Sequence, residues 1–112
     1  MKKSSRETVG AVIAAAGASQ RMDGVDKMFA SLGGRPLLAR VIDVFQRCDS
    51  VDRIVVVLSP SNLERGRRLV AKNKWSKVTD VCPGGQRRQD SVKNGLSRLI
   101  RCHWAVIHDG AR

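Results

Sequence analysis

The stretch TVGAVIAAAG, Thr8 to Gly17, decides the fold. It is apolar without alternation, so it is not a strand with one wet face. It reads as a strand buried on both sides, the mark of a parallel sheet, closed by a turn at Gly17. The character then changes at once. ASQRMDGVDK is a polar loop with Gly24 inside it, and MFASLGGRP is a short extended piece with a turn at Gly33 and Gly34. Pro36 opens a helix, because proline suits a first helical position. Leu37, Leu38, Val41, Val44 and Phe45 form its inward face, and the helix is expected to end near Cys48 and Asp49.

The same order of elements then repeats. RIVVVLSP is a second buried strand, β-branched and closed by Pro60. Ser61 and Glu64 have capping-box spacing, which starts a helix at Ser61. That helix is strongly basic, with Arg65, Arg67, Arg68, Lys72 and Lys74. KVTDVC is a third strand, PGGQRR a loop, and RQDSVKNGLSRLI a helix with Val92, Leu96, Leu99 and Ile100 facing inward. WAVI is the fourth strand. Alternation of this kind specifies an α/β fold with a parallel sheet and right-handed crossovers.

The 112 residues make one domain at most, with no linker or internal repeat. Residues 1–8 form a basic tail. Apolar residues make up 42% and charged residues 28%, a globular balance. No run approaches the roughly 18 apolar residues that a membrane span needs. MKKSSRE followed by AVIAAAGA has the outline of a secretion signal, but the run is short and enters SQRMDGVDK rather than a cleavage site. It reads instead as the first strand of a cytoplasmic protein. Cys48, Cys82 and Cys102 are odd in number and match no metal spacing, so they read as reduced thiols. The net charge of +11 calls for an anionic partner. With two Phe, two Trp and no Tyr there is no aromatic set for stacking bases, so the basic helix reads as a solvated face and not as a nucleic-acid site.

Three loops at strand carboxyl ends are rich in Gly, Arg, Asp and Ser, and such loops form the binding crevice of an open parallel sheet. In the first, Gly17 and its small neighbours let backbone N–H groups approach an anion, while Arg21 and Lys27 add two charges suited to a triphosphate. Neither GxxxxGK[ST] nor GxGxxG is present. In the second, Gly84 and Gly85 leave room for a flat ring. Asp90 and Ser91 there either cap the following helix or, in the case of Ser91, read a base edge. In the third, Asp109 beside a phosphate site implies Mg²⁺ between carboxylate and phosphates, although a turn aspartate before Gly110 is the plainer reading. His108, one residue earlier, points the other way and is structural.

AVIAAAGASQRM…DK, GGQRRQDSVKNGL and HDGAR together resemble the 2-C-methyl-D-erythritol 4-phosphate cytidylyltransferase family. The resemblance runs from about Val9 to Arg112. It implies a Rossmann-like three-layer sandwich of the nucleotidyltransferase type, truncated after its fourth strand, with residues 9–112 as the N-terminal part of the domain. It implies transfer of a cytidylyl group from CTP to a sugar-alcohol phosphate with release of pyrophosphate, in isoprenoid precursor synthesis by the non-mevalonate route. Ala15, Ala16 and Gly17 would line the nucleotide site, with Arg21 on the β- and γ-phosphates and Lys27 on the α-phosphate as catalytic groups. Gly85, Gln86 and Ser91 would recognise cytosine, Arg88 would support that loop, Asp109 would sit at the metal and Gly110 near the ribose. The family often carries an acidic residue where Gln86 stands. Its chain continues past HDGAR into a half that brings further strands, a dimerisation arm, a second essential lysine and the acceptor-phosphate site. The expectation for these 112 residues alone is weak stability and little transferase activity. The competing expectations are an inactive remnant or nucleotide-binding module, and a ribitol 5-phosphate cytidylyltransferase.

Overall fold

The computed structural model describes residues 7–17, 21–22, 25–26, 28–29, 31–32, 34–99 and 101–110. TVGAVIAAAG becomes strand β1 (Val9–Ala15), in which Ala11, Val12 and Ile13 are fully buried. The loop that follows contains two small antiparallel hairpins. In the first, β2 (Arg21–Met22) pairs with β3 (Val25–Asp26). In the second, β4 (Ser31–Leu32) pairs with β5 (Arg35–Pro36). The second turn falls where Gly33 and Gly34 predict it. Gly34 has φ +89°, a left-handed conformation that favours glycine.

Helix α1 (Leu37–Gln46) starts after Pro36 and stops at Arg47, two residues before the expected end. β6 (Arg53–Leu58) is the second buried strand. A single 3₁₀ turn, Pro60–Asn62, leads into α2 (Leu63–Asn73). The Ser61–Glu64 capping box does not form. The extra turn moves the cap position to Asn62, and the Ser61 hydroxyl instead lies 3.3 Å from that of Ser59. β7 (Val78–Pro83), α3 (Arg88–Ser97) and β8 (Trp104–Asp109) complete the order. No helix among the described residues is long and apolar enough to cross a membrane.

The four long strands form one parallel sheet in the order β7-β6-β1-β8. α1 and α2 cover one face, where Leu38, Val41 and Ile42 meet Ile13, Ile54, Val56 and Leu58. α3 covers the other, over Val12, Val55, Val57 and Cys82. This is the expected three-layer α/β sandwich. The chain steps one way along the sheet from β1 to β6 to β7, then back past β1 to β8. A single crossover hand requires the helix of the return step to lie on the opposite face, and α3 does.

Two inward faces differ from expectation. In α1 the buried stripe is Leu38, Ala39, Val41 and Ile42, with Phe45 half-buried, and Val44 is 60% exposed. Val44 precedes Phe45 by one residue, about 100° of helix rotation, which carries it off the stripe. In α3 the contact residues are small. Ser91 and Gly95 are buried, while Leu96 is 40% exposed. A methyl group on Gly95 would lie 2.5 Å from a Val12 methyl, so the helix backbone lies almost on the sheet. Leu99 is buried, but in the turn after the helix, and Ile100 lies outside the described residues.

Candidate functional site

Strand order reverses at β1, which has β6 on one side and β8 on the other. The crevice of such a sheet opens at the carboxyl ends of the strands flanking that point. Asp109 is the last residue of β8, paired with Ala14 across the ladder. Strand structure thus runs two residues past WAVI, and Asp109 sits on the rim rather than in the loop. His108 makes an edge-to-face contact with Phe45, with ring centres 5.4 Å apart, as a structural residue would.

The three loops meet here. A methyl group on Gly84 would lie 2.4 Å from Ala16 Cβ and 2.5 Å from Ser91 Oγ, so the ends of β1, β7 and the first turn of α3 touch at one point. The Gly84 N–H donates to Leu58 O at 2.8 Å, which ties this loop to β6 as well. On the β8 side the Gly110 N–H donates to Ala14 O at 3.0 Å. A methyl there would meet Met28 Cε at 2.8 Å and Ala15 Cβ at 3.0 Å. One link spans the second and third loops: Arg88 Nε donates to Asp109 Oδ1 at 2.8 Å.

In the Cβ direction both Gly84 and Gly85 face protein atoms, since a methyl on Gly85 would lie 2.4 Å from Asp90 Cβ. A side chain at either position would clash there, while both glycines stay partly exposed on their other sides. Asp90 and Ser91 do not cap α3, whose cap residue, Arg87, makes no side-chain cap bond. Asp90 instead receives two hydrogen bonds from Arg87, at 3.2 and 3.3 Å, which stiffen the loop. Ser91 is buried, with its hydroxyl turned toward Gly84 and Ala16.

Of the other residues singled out from the sequence, Ala15 is buried, Ala16 half-buried, and Gly17 and Gln86 exposed. Arg21 is placed by its backbone alone, in β2. Lys27 lies outside the described residues. Met28 is a contributor that the sequence reading missed. It is fully buried, its carbonyl accepts from Leu38 N at 2.9 Å, and its side chain backs Gly110. Nothing in its local sequence marks it. The Arg88–Asp109 pair was also missed as a pair. Its signal is topological, because the first residue of α3 and the last of β8 both fall at the carboxyl end of the sheet.

The basic helix is not uniformly solvated. Arg65 lies over the Phe29 ring at 4.5 Å and donates to Asn62 at 2.9 Å. Cys82, near the end of β7, is buried. Burial pushes its thiol above the ordinary value, an effect that nearby Arg98 only partly opposes. All three cysteines are free.

Among the described residues no three His, Cys, Asp or Glu side chains cluster to hold a metal. Asp109 offers one carboxylate, 23% exposed and already bearing a cationic partner. That donor set supplies one ligand to a divalent ion whose other positions are filled by water or by substrate phosphates, as is common for Mg²⁺. Among the described residues the crevice brings together one guanidinium, one carboxylate and the Ser91 hydroxyl.

A family model described as IspD: 2-C-methyl-D-erythritol 4-phosphate cytidylyltransferase matches residues 9–112. A protein of that name from Dehalococcoides mccartyi is 53% identical over 106 residues, covering 95% of this chain and 47% of the relative. One from Geobacillus kaustophilus is 43% identical over 103 residues, covering 91% of this chain and 45% of the relative. The crystal structure of 4-diphosphocytidyl-2C-methyl-D-erythritol synthase from Anaerococcus prevotii superposes with a TM-score of 0.77 at 26% identity, over 93% of this chain and 43% of that one. The chain spans about half the length of the curated relatives it matches.

Proposed function

Since the chain belongs to the 2-C-methyl-D-erythritol 4-phosphate cytidylyltransferase family, we propose that it is the CTP-binding half of an enzyme that transfers a cytidylyl group to 2-C-methyl-D-erythritol 4-phosphate. The observation that carries this reading is the convergence of Ala16, Gly84, Ser91, Arg88, Asp109 and Gly110 at the switch point of the sheet. An acceptor phosphate oxygen attacks the α-phosphorus of CTP in line, the bond to the β-phosphate breaks, and pyrophosphate leaves. No covalent intermediate on the protein is needed. Catalysis then consists of positioning and charge neutralisation, with Arg21 on the β- and γ-phosphates and Lys27 on the α-phosphate. Asp109 would hold Mg²⁺, which supplies further neutralisation of the phosphates. Ala15, Ala16 and Gly17 would present backbone to the nucleotide, Gly85, Gln86 and Ser91 would read cytosine, and Gly110 would lie by the ribose. The free thiols favour a reducing, cytoplasmic setting. The homodimer of the family would be built by its other half.

The test is thermal stabilisation by nucleotides. Saturating CTP with Mg²⁺ is expected to raise the Tm by at least about 5 °C, with ATP and GTP giving little. No shift, or an equal shift with all three, overturns the reading. A CTP-selective shift without turnover supports the binding half and places transfer in the longer protein.

A further inference from the structure

The Arg88–Asp109 pair poses a problem of energy. Arg88 is 61% exposed in its side chain, and an exposed ion pair of this kind contributes almost nothing to folding. Yet it is well aligned at 2.8 Å and joins the two loops that border the crevice. Its neighbour Arg87 is satisfied locally by Asp90, so Arg88 is not merely one more charge on a basic loop. A bare carboxylate on this rim would repel a polyphosphate, and Arg88 cancels it. A guanidinium and a divalent cation bound to one carboxylate repel each other in turn, so the two compete.

We infer that Arg88 is a charge latch on Asp109: it neutralises the rim carboxylate while no cation is present and yields it when a divalent cation arrives. Arg88 is thus a positioning residue that acts through Asp109. The latch keeps the rim permissive to phosphate at every stage, first with the guanidinium and then with the ion. Released from Asp109, Arg88 remains at the first turn of α3 as a counter-charge for the incoming phosphates. The inference deepens the reading of this crevice as a nucleotide site. It predicts opposite signs for two bindings in one variant, which a merely structural role does not produce.

The experiment titrates Mn²⁺ alone, by water-proton relaxation, into the parent protein and into Arg88→Gln, Arg88→Lys and Asp109→Asn. Arg88→Gln is expected to tighten Mn²⁺ about three- to tenfold, because a repelling charge is gone. Arg88→Lys, which keeps the charge, stays near the parent, and Asp109→Asn weakens Mn²⁺ at least about tenfold. CTP binding measured without metal moves the other way and weakens in Arg88→Gln. Mn²⁺ affinity that is unchanged or lower in Arg88→Gln overturns the latch, as does undiminished affinity in Asp109→Asn or no Mn²⁺ binding by the parent. Arg88→Met repeats the test with a second neutral side chain if the glutamine variant folds poorly. If the Mn²⁺ pattern holds while CTP does not bind the parent, the latch stands and the nucleotide reading falls.

Discussion

β1 and β8 are neighbours in perfect register for six residues, from Val9 opposite Trp104 to Ala14 opposite Asp109. Both are apolar runs in the sequence. In the fold they differ completely. Ala11, Val12 and Ile13 are fully buried, whereas Trp104 is 64% and Val106 44% exposed. Composition does not make the difference. β1 has a strand on each side, α1 on one face and α3 on the other, while β8 has one neighbouring strand among the described residues. Along β8 itself cover increases toward the carboxyl end, from exposed Trp104 through half-buried Ile107, His108 and Asp109 to buried Gly110. The covered end borders the crevice, where Phe45 and Met28 reach it. The site end of the strand is therefore supported even where its beginning is bare.

The largest expected effect concerns the chemistry proposed for the first loop. With these residues joined to the C-terminal half of the Dehalococcoides mccartyi relative, Lys27→Ala lowers cytidylyl transfer about 10²-fold or more, the loss of one transition-state donor. Undiminished turnover removes Lys27 from the machinery. Next comes the core contrast. In urea titrations Ile13→Ala costs about 2–5 kcal/mol, and Val106→Ala stays within about 0.5 kcal/mol. Equal costs would mean that β8 is covered in solution, and the comparison would break.

The two site glycines sharpen it further. Gly84→Ala puts a methyl against Ala16 Cβ, which cannot move without the strand, and costs about 1–3 kcal/mol with loss of CTP-dependent stabilisation. Gly110→Ala meets first the flexible end of Met28 and is expected to cost less. Cys82 gives a pH test. Its raised folded pKa means that its contribution is complete below the ordinary thiol range and is lost as pH rises through the folded value. Stability should therefore fall in alkali above roughly pH 8.5, and Cys82→Ala should flatten that fall. Exposed Cys48 should react with a thiol reagent at pH 8 far faster than Cys82. The smallest effect is Trp104→Lys, expected within about 0.5 kcal/mol in stability but with less self-association, because it charges the strand that has one neighbour among the described residues.

Much of the fold was legible because burial on both faces leaves a signature that needs no alignment. TVGAVIAAAG and RIVVVLSP have no polar residue where a wet face would require one. Strand–helix alternation then leaves few topologies. Boundaries and faces were less legible. The Ser61–Glu64 spacing is a valid cap signal, but an added 3₁₀ turn displaced the cap to Asn62. Leu96 looked inward by period, yet close contact through Ser91 and Gly95 turned it to solvent. The hairpins inside the first loop rest on backbone pairs too short to show a period.

By itself the sequence determined the fold class, the positions of the three chemical loops and the family, since these depend on local pattern and on residue types in order. Only the tertiary structure decided that Gly84 packs against Ala16 and Ser91, that Met28 stands behind Gly110, and that Arg88 holds Asp109. Those facts join residues as far as 82 positions apart, and they follow from where a reversed strand order brings chain ends together, which no local pattern encodes.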